Sequence, residues 1–114
     1  MPRSYILFLE DILVSIHKIQ NYAGSDSLDS LFKNEMKIDA IVRNFEIIGQ
    51  ASKNIPQEIK DGYPFIEWKK IASFRDILAH EYFGVDYDIM WDIIENKLPD
   101  LLRDIKGIID GEHQ

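Results

Sequence analysis

Residues 28–53 read LDSLFKNEMKIDAIVRNFEIIGQASK. Within this stretch Leu28, Leu31, Ile38, Ile41, Phe45, Ile48 and Ala51 recur at intervals built from threes and fours, the period that lines one face of an α-helix. The pattern predicts one long helix of about seven turns, capped at Asp26 or Ser27 and running to Lys53. A helix of this length is the natural arm of a bundle. Gly49 lies inside it and costs about 1 kcal/mol relative to alanine, a cost that a close helix crossing would offset.

The flanking sequence has the same period. Upstream, Ile6, Leu9, Leu13 and Ile16, widened by Tyr5, Phe8, Ile12 and Ile19, predict a helix from about Arg3 to Tyr22 that packs on two neighbours. Ala23-Gly24-Ser25 stops it, since glycine is the usual residue just past a helix end. Downstream, residues 54–64 hold two prolines, Gly62 and several charges, and read as a connection with one short helical turn. A third helix is expected from about Ile66 to His80, with Trp68, Ile71, Ala72, Phe74 and Leu78 on its apolar side. After a turn at Phe83-Gly84-Val85-Asp86, with Asp86 or Asp88 as cap, a fourth runs from about Tyr87 to Ile109. Its stripe is Ile89, Ile93, Leu98, Leu101, Ile105 and Ile108. Pro99 falls in the interior and should kink or interrupt that helix, and Gly111 to Gln114 read as a frayed tail. No strand-period alternation competes. The expected fold is all-α, an antiparallel four-helix bundle formed by one domain over residues 1–114.

Composition narrows the chemistry. The chain has no cysteine, which excludes disulfides, thiolate zinc sites and cysteine nucleophiles. Its opening apolar run is cut by Glu10 and Asp11, too short for a signal peptide. No segment approaches the roughly 18 apolar residues of a membrane span, so a soluble, cytoplasmic protein is expected. The net charge of −7 argues against binding nucleic acid through bulk electrostatics. A nucleic-acid enzyme of this composition needs a local basic cleft, and Lys53, Lys69 and Lys70 could form its rim.

Of the three histidines, His113 sits in the tail and His17 on the less apolar side of the first helix. His80 keeps different company, because Arg75-Asp76-Ile77-Leu78-Ala79-His80-Glu81-Tyr82 sets arginine, histidine and tyrosine close together. That trio suits phosphodiester cleavage without a metal or cofactor. Imidazole accepts and donates a proton near neutrality. Guanidinium pairs bidentately with phosphate oxygens and stabilises the charge of a phosphorane-like transition state. In RNA the 2′-hydroxyl can serve as nucleophile. At about 100° per residue, Arg75 and Tyr82 fall within about 20° of each other, but His80 lies about 140° from Arg75. Either the helix ends or distorts near His80, or two copies of the segment share a cleft across a symmetry axis. The same residues also suit a plainer task, satisfying the last carbonyls of a helix and pairing with Asp76, Glu81 or Asp86.

The segment from Arg75 to Tyr82 matches the Arg-x4-His-x-Tyr motif, and the chain resembles the HEPN-domain proteins, in particular the HepT-like ribonuclease toxins. The likeness extends to Tyr63-Pro64-Phe65-Ile66-Glu67-Trp68-Lys69-Lys70-Ile71 before the motif. It continues through His80-Glu81-Tyr82-Phe83-Gly84-Val85-Asp86 and Trp91 after it, and covers residues 40–55 in the second long helix. Gln50 departs from the glutamate expected there. The resemblance implies a HEPN-type homodimer with the motif lining a cleft at the two-fold axis. It also implies a metal-independent endoribonuclease toxin acting on RNA, with Arg75 and His80 as the catalytic pair and Asp76 as a polar helper. Tyr82 becomes the residue to which an MntA-type nucleotidyltransferase antitoxin attaches AMP. The competing expectation is a non-catalytic accessory subunit that presents nucleotide or substrate to a nucleotidyltransferase, a role the acidic charge favours slightly.

Overall fold

The computed structural model describes residues 4–74 and 87–112, and every regular element among them is helical. Helix α1 (Tyr5–Ala23) starts where the Ser4 hydroxyl accepts from the Ile6 amide at 3.3 Å. It ends at Gly24, whose φ of 55° is the left-handed turn that only glycine adopts cheaply. Leu9, Ile12, Ile16, Ile19 and Ala23 are buried, and the helix packs on two partners as its broad stripe predicts.

The long second helix is broken. A single turn, α2 (Leu28–Leu31), is capped by Ser27, and a new helix, α3 (Glu35–Lys53), starts from Asn34. The Asn34 side chain accepts from the Lys37 amide at 3.1 Å. An asparagine that can cap competes with its own helical state. The gap between Leu31 and Ile38 in the apolar stripe leaves nothing to oppose it. Lys37 then closes the break by reaching back to Asp26 at 2.8 Å.

Helix α4 (Gln57–Gly62) is the expected short helix in the connection; α5 (Trp68–Ala72) starts two residues later than expected and stops at its C-cap Ser73, so the unbroken helix expected from Ile66 to His80 is corrected. Helix α6 (Tyr87–Asp92) passes through a π-helical turn (Ile93–Lys97) into α7 (Leu98–Glu112). Asp88 therefore lies inside the first turn, where its carboxylate meets the positive helix end, and Asp86 is outside the described residues. The interruption expected at Pro99 takes the form of this π-helical turn, and the chain stays helical across the proline itself. Proline removes one amide and crowds the carbonyl four residues earlier. Here the turn just before it widens, with the Leu98 amide bonding to the Ile93 carbonyl.

The frayed tail is also overturned for Gly111 and Glu112, which belong to α7, while His113 and Gln114 lie outside the described residues. The Glu112 carboxylate accepts from the Tyr5 hydroxyl at 3.0 Å and from the Tyr63 hydroxyl at 3.1 Å. It thereby ties the last turn to the first helix and to the α4–α5 connection. Burial, then the bond to Glu112 and its charge, raises the pKa of both phenols above the ordinary 10.0. A raised folded-state pKa means that this stabilisation is complete below pH 10 and is lost as pH rises through the folded value. Glu112→Gln is therefore expected to melt with a shallower alkaline decline than wild type when Tm is followed from pH 8 to 11.

The core forms where α1, α3 and α7 meet. Phe45, Leu9, Ile12, Ile16, Ile41, Ile48, Leu98 and Ile105 have no exposed surface there. Each such side chain contributes about 1.5–3 kcal/mol of burial. No helix among the described residues is long and apolar enough to cross a membrane.

Candidate functional site

Arg75, Asp76, His80 and Tyr82 lie outside the described residues, as does Leu78; the structure describes what leads to them and away. On the approach, α5 is held by its buried Trp68 and Ile71. The Trp68 indole N–H donates to the Tyr63 carbonyl at 3.1 Å, so this ring is core rather than a free stacking platform. Phe74, the residue before Arg75, is buried and sets its ring edge-on to Phe45, with centroids 5.2 Å apart and planes at 85°. On the far side, Tyr87 stacks on Phe32 with centroids 4.2 Å apart and planes within 4°. Trp91 meets Phe32 edge-on at 6.4 Å, and Met90 is fully buried. Aromatic pairs of this geometry add about 0.5–1.5 kcal/mol beyond their buried area. Phe74 and Tyr87, the described residues on either side of the motif segment, are thus held against α3 and the α2–α3 junction.

Gly49 sets how closely α5 approaches. A Cβ at this position would sit 3.2 Å from the Ala72 carbonyl oxygen and 3.3 Å from that of Ile71. The close crossing expected from sequence is therefore present, and its partner is the short helix that leads into the motif. One turn on, the Ser52 hydroxyl donates to the Gly49 carbonyl at 2.8 Å.

Two grooves meet at Ala72. One, of about 360 Å³, runs between α1 and α3 and is lined by Phe8, Asp11, Arg43, Glu46, Gln50 and Asn54 among others. Gln50, whose role the sequence left open, sits exposed on this wall. Arg43 is 3.7 Å from Glu46 and largely exposed. The other groove, of about 590 Å³, lies between α4 and α5 and carries Gln57, Lys60, Asp61, Glu67, Lys69 and Lys70. Lys70 holds the Glu67 carboxylate at 2.7 Å. That bond and its charge keep the Glu67 pKa below the carboxylate's ordinary value. The lysines anticipated as one basic rim do not share a cleft: Lys53 borders the first groove, and Lys69 and Lys70 the second.

His17, the histidine on the less apolar side of the first helix, is exposed on α1. No group of three or more histidine, aspartate or glutamate side chains among the described residues could hold a metal ion. Sequence reading missed Asn44. It is buried, its amide N–H donates to the Ala40 carbonyl at 2.8 Å, and its Oδ1 meets no donor among the described residues. The available signal was a polar residue flush against the apolar Phe45.

Comparison with known proteins places this architecture. The family model described as "Ribonuclease HepT-like" matches residues 12–108. A Methanocaldococcus jannaschii protein provisionally named an RNase is 38% identical over 100% of this chain and 98% of its own length. A second, from Caldanaerobacter subterraneus subsp. tengcongensis and named in the same way, is 39% identical over 97% of this chain and 96% of its own. A Thermococcus cleftensis protein named a ribonuclease HepT is 38% identical over 89% and 92%. No solved structure matches the chain significantly. An all-helical frame built around an Arg-x4-His-x-Tyr segment, matched over most of its length, makes this chain a member of the HepT-like ribonuclease family.

Proposed function

We propose that this chain is an endoribonuclease that works without a metal ion or cofactor, and that it is the toxin of a toxin–antitoxin pair in the cytoplasm. The observation that carries this reading is the Arg75, His80 and Tyr82 spacing in a chain that belongs to the HepT-like family. The names of its relatives as ribonucleases support it.

His80 takes the proton from a ribose 2′-hydroxyl. The freed oxygen attacks the adjacent phosphorus, a bond forms between them, and the bond to the 5′-oxygen breaks. The imidazolium then returns its proton to that leaving oxygen. Arg75 pairs with the non-bridging oxygens and opposes the charge that develops on them, with Asp76 as its polar neighbour. The products are a 2′,3′-cyclic phosphate and a 5′-hydroxyl. Because His80 and Arg75 diverge by about 140° on an ideal helix, a homodimer that brings two copies of the segment together supplies the convergence that one continuous helix does not.

Regulation acts on Tyr82. An MntA-type nucleotidyltransferase antitoxin presents ATP, the phenol oxygen attacks the α-phosphorus, and pyrophosphate leaves. The attached phosphate pairs with Arg75 and occupies the place of the substrate's. Co-expression with such an enzyme is expected to add AMP increments to the intact mass. Those increments disappear in Tyr82→Phe, and only unmodified protein cuts RNA. If unmodified and phosphodiesterase-treated protein both leave RNA intact at high concentration, the nuclease assignment fails in favour of the accessory-subunit reading.

A further inference from the structure

The groove between α4 and α5 has a charge pattern that the catalytic assignment does not use. Its two carboxylates are already engaged, Asp61 by the Gln57 amide at 2.8 Å and Glu67 by Lys70 at 2.7 Å. Lys60 and Lys69 border the same groove, and neither forms an ion pair among the described residues. The lining carries three lysines, Lys60, Lys69 and Lys70, against the two carboxylates, a positive balance within a protein of net charge −7. On an acidic body, such a place is where a polyanion can approach without strong repulsion.

Position adds a second argument. Ala72 lines the groove, and the three residues of chain from there to Arg75 reach at most about 11 Å. Its volume, about 590 Å³, lies within the range of sites that hold one or two nucleotide-sized groups. The walls set Lys60, Lys69 and Lys70 among the apolar Pro64, Ile66 and Trp68, with Lys60 half-buried and Lys69 exposed. They suit a repeated charge better than one particular base.

We infer that the α4–α5 groove is a track for the phosphate backbone of single-stranded RNA, with Lys60 and Lys69 as the phosphate contacts that feed the strand to the Arg75–His80 site. The inference rests on the ribonuclease reading and extends it to substrate binding outside the motif. Lys60 and Lys69 contribute to affinity by releasing counterions from the RNA, and they take no part in proton transfer.

The test compares Lys60→Gln/Lys69→Gln with Lys18→Gln/Lys106→Gln, which makes the same change in net charge on α1 and α7. Binding of a fluorescent single-stranded RNA oligonucleotide is measured by anisotropy in the His80→Ala background across a potassium chloride series. KM and kcat are measured in the otherwise wild-type chain. Loss of two phosphate contacts is expected to lower the salt slope by about 1.4 and to weaken binding about 25-fold in 0.1 M salt. KM rises with it while kcat changes little, and the α1/α7 pair shifts binding far less. Equal Kd values and equal slopes for the two double variants overturn the track while leaving the nuclease intact. A wild-type chain that neither binds nor cuts the oligonucleotide overturns the ribonuclease reading, and the track falls with it.

Discussion

His80→Ala is expected to lower RNA cleavage by about 10²–10⁴-fold, the ordinary contribution of a positioned acid–base group, and to abolish growth inhibition in cells. Arg75→Ala is expected to cost about 10²–10³-fold, because it removes a donor aimed at charge that develops only in the transition state. Circular dichroism and the oligomeric state of both variants are expected to match wild type. The two losses should not multiply, since the groups act on one phosphate and residues that work as a unit are strongly non-additive. Initial rates on a defined RNA oligonucleotide give the numbers, and plating with an inducible promoter gives the cellular readout. Full toxicity of both variants would remove Arg75 and His80 from the mechanism.

Phe45→Ala carries the largest expected loss of stability. Phe45 is fully buried at the centre of α3 and meets Phe74 edge-on at 5.2 Å. Truncation deletes the transfer energy of a whole ring and leaves a cavity, about 3–5 kcal/mol together. Against a total of about 5–15 kcal/mol for a domain, this is a large share. Urea denaturation should show an earlier midpoint with little change in slope, and a loss below about 1 kcal/mol would mean that the site collapses around the missing ring. Phe45→Leu keeps the core apolar and should fold. It still removes the edge contact on Phe74, the last buried side chain before Arg75. Small displacements near a reacting centre can cost up to about 100-fold in rate, so this variant is expected to cut RNA more slowly than its stability alone would suggest.

Much of the architecture was legible as periodicity. The Gly24 stop, the stripe of α1, the short helix in the 54–64 connection and the core face of the C-terminal helix all followed from spacing and from single residues with one dominant preference. Three details were decided by contacts that periodicity does not encode. At Asn34 a local side-chain cap outcompeted a propagating helix across a gap in the apolar stripe. At Pro99 the packed helix accommodated the ring by widening one turn rather than ending. At Glu112 two phenols distant in sequence ordered a terminus that local propensity would leave loose.

The candidate site divides along the same line. Arg75, His80 and Tyr82 stand out in the sequence by residue type, spacing and resemblance to the family, and their roles belong to the proposed function. Gly49 could be suspected, but the identity of its neighbour could not, because a close approach is a property of two backbones.

From its order of residues alone, this protein determined its helical class and the faces that turn inward. Those depend on interactions within a few turns of chain. Only the tertiary structure decided that Phe74 and Tyr87 are held against Phe45 and Phe32, that Gly49 admits α5, and that Lys60 and Lys69 border one groove. Each of these joins groups that no local preference brings together, and burial of a shared core is what brings them within reach.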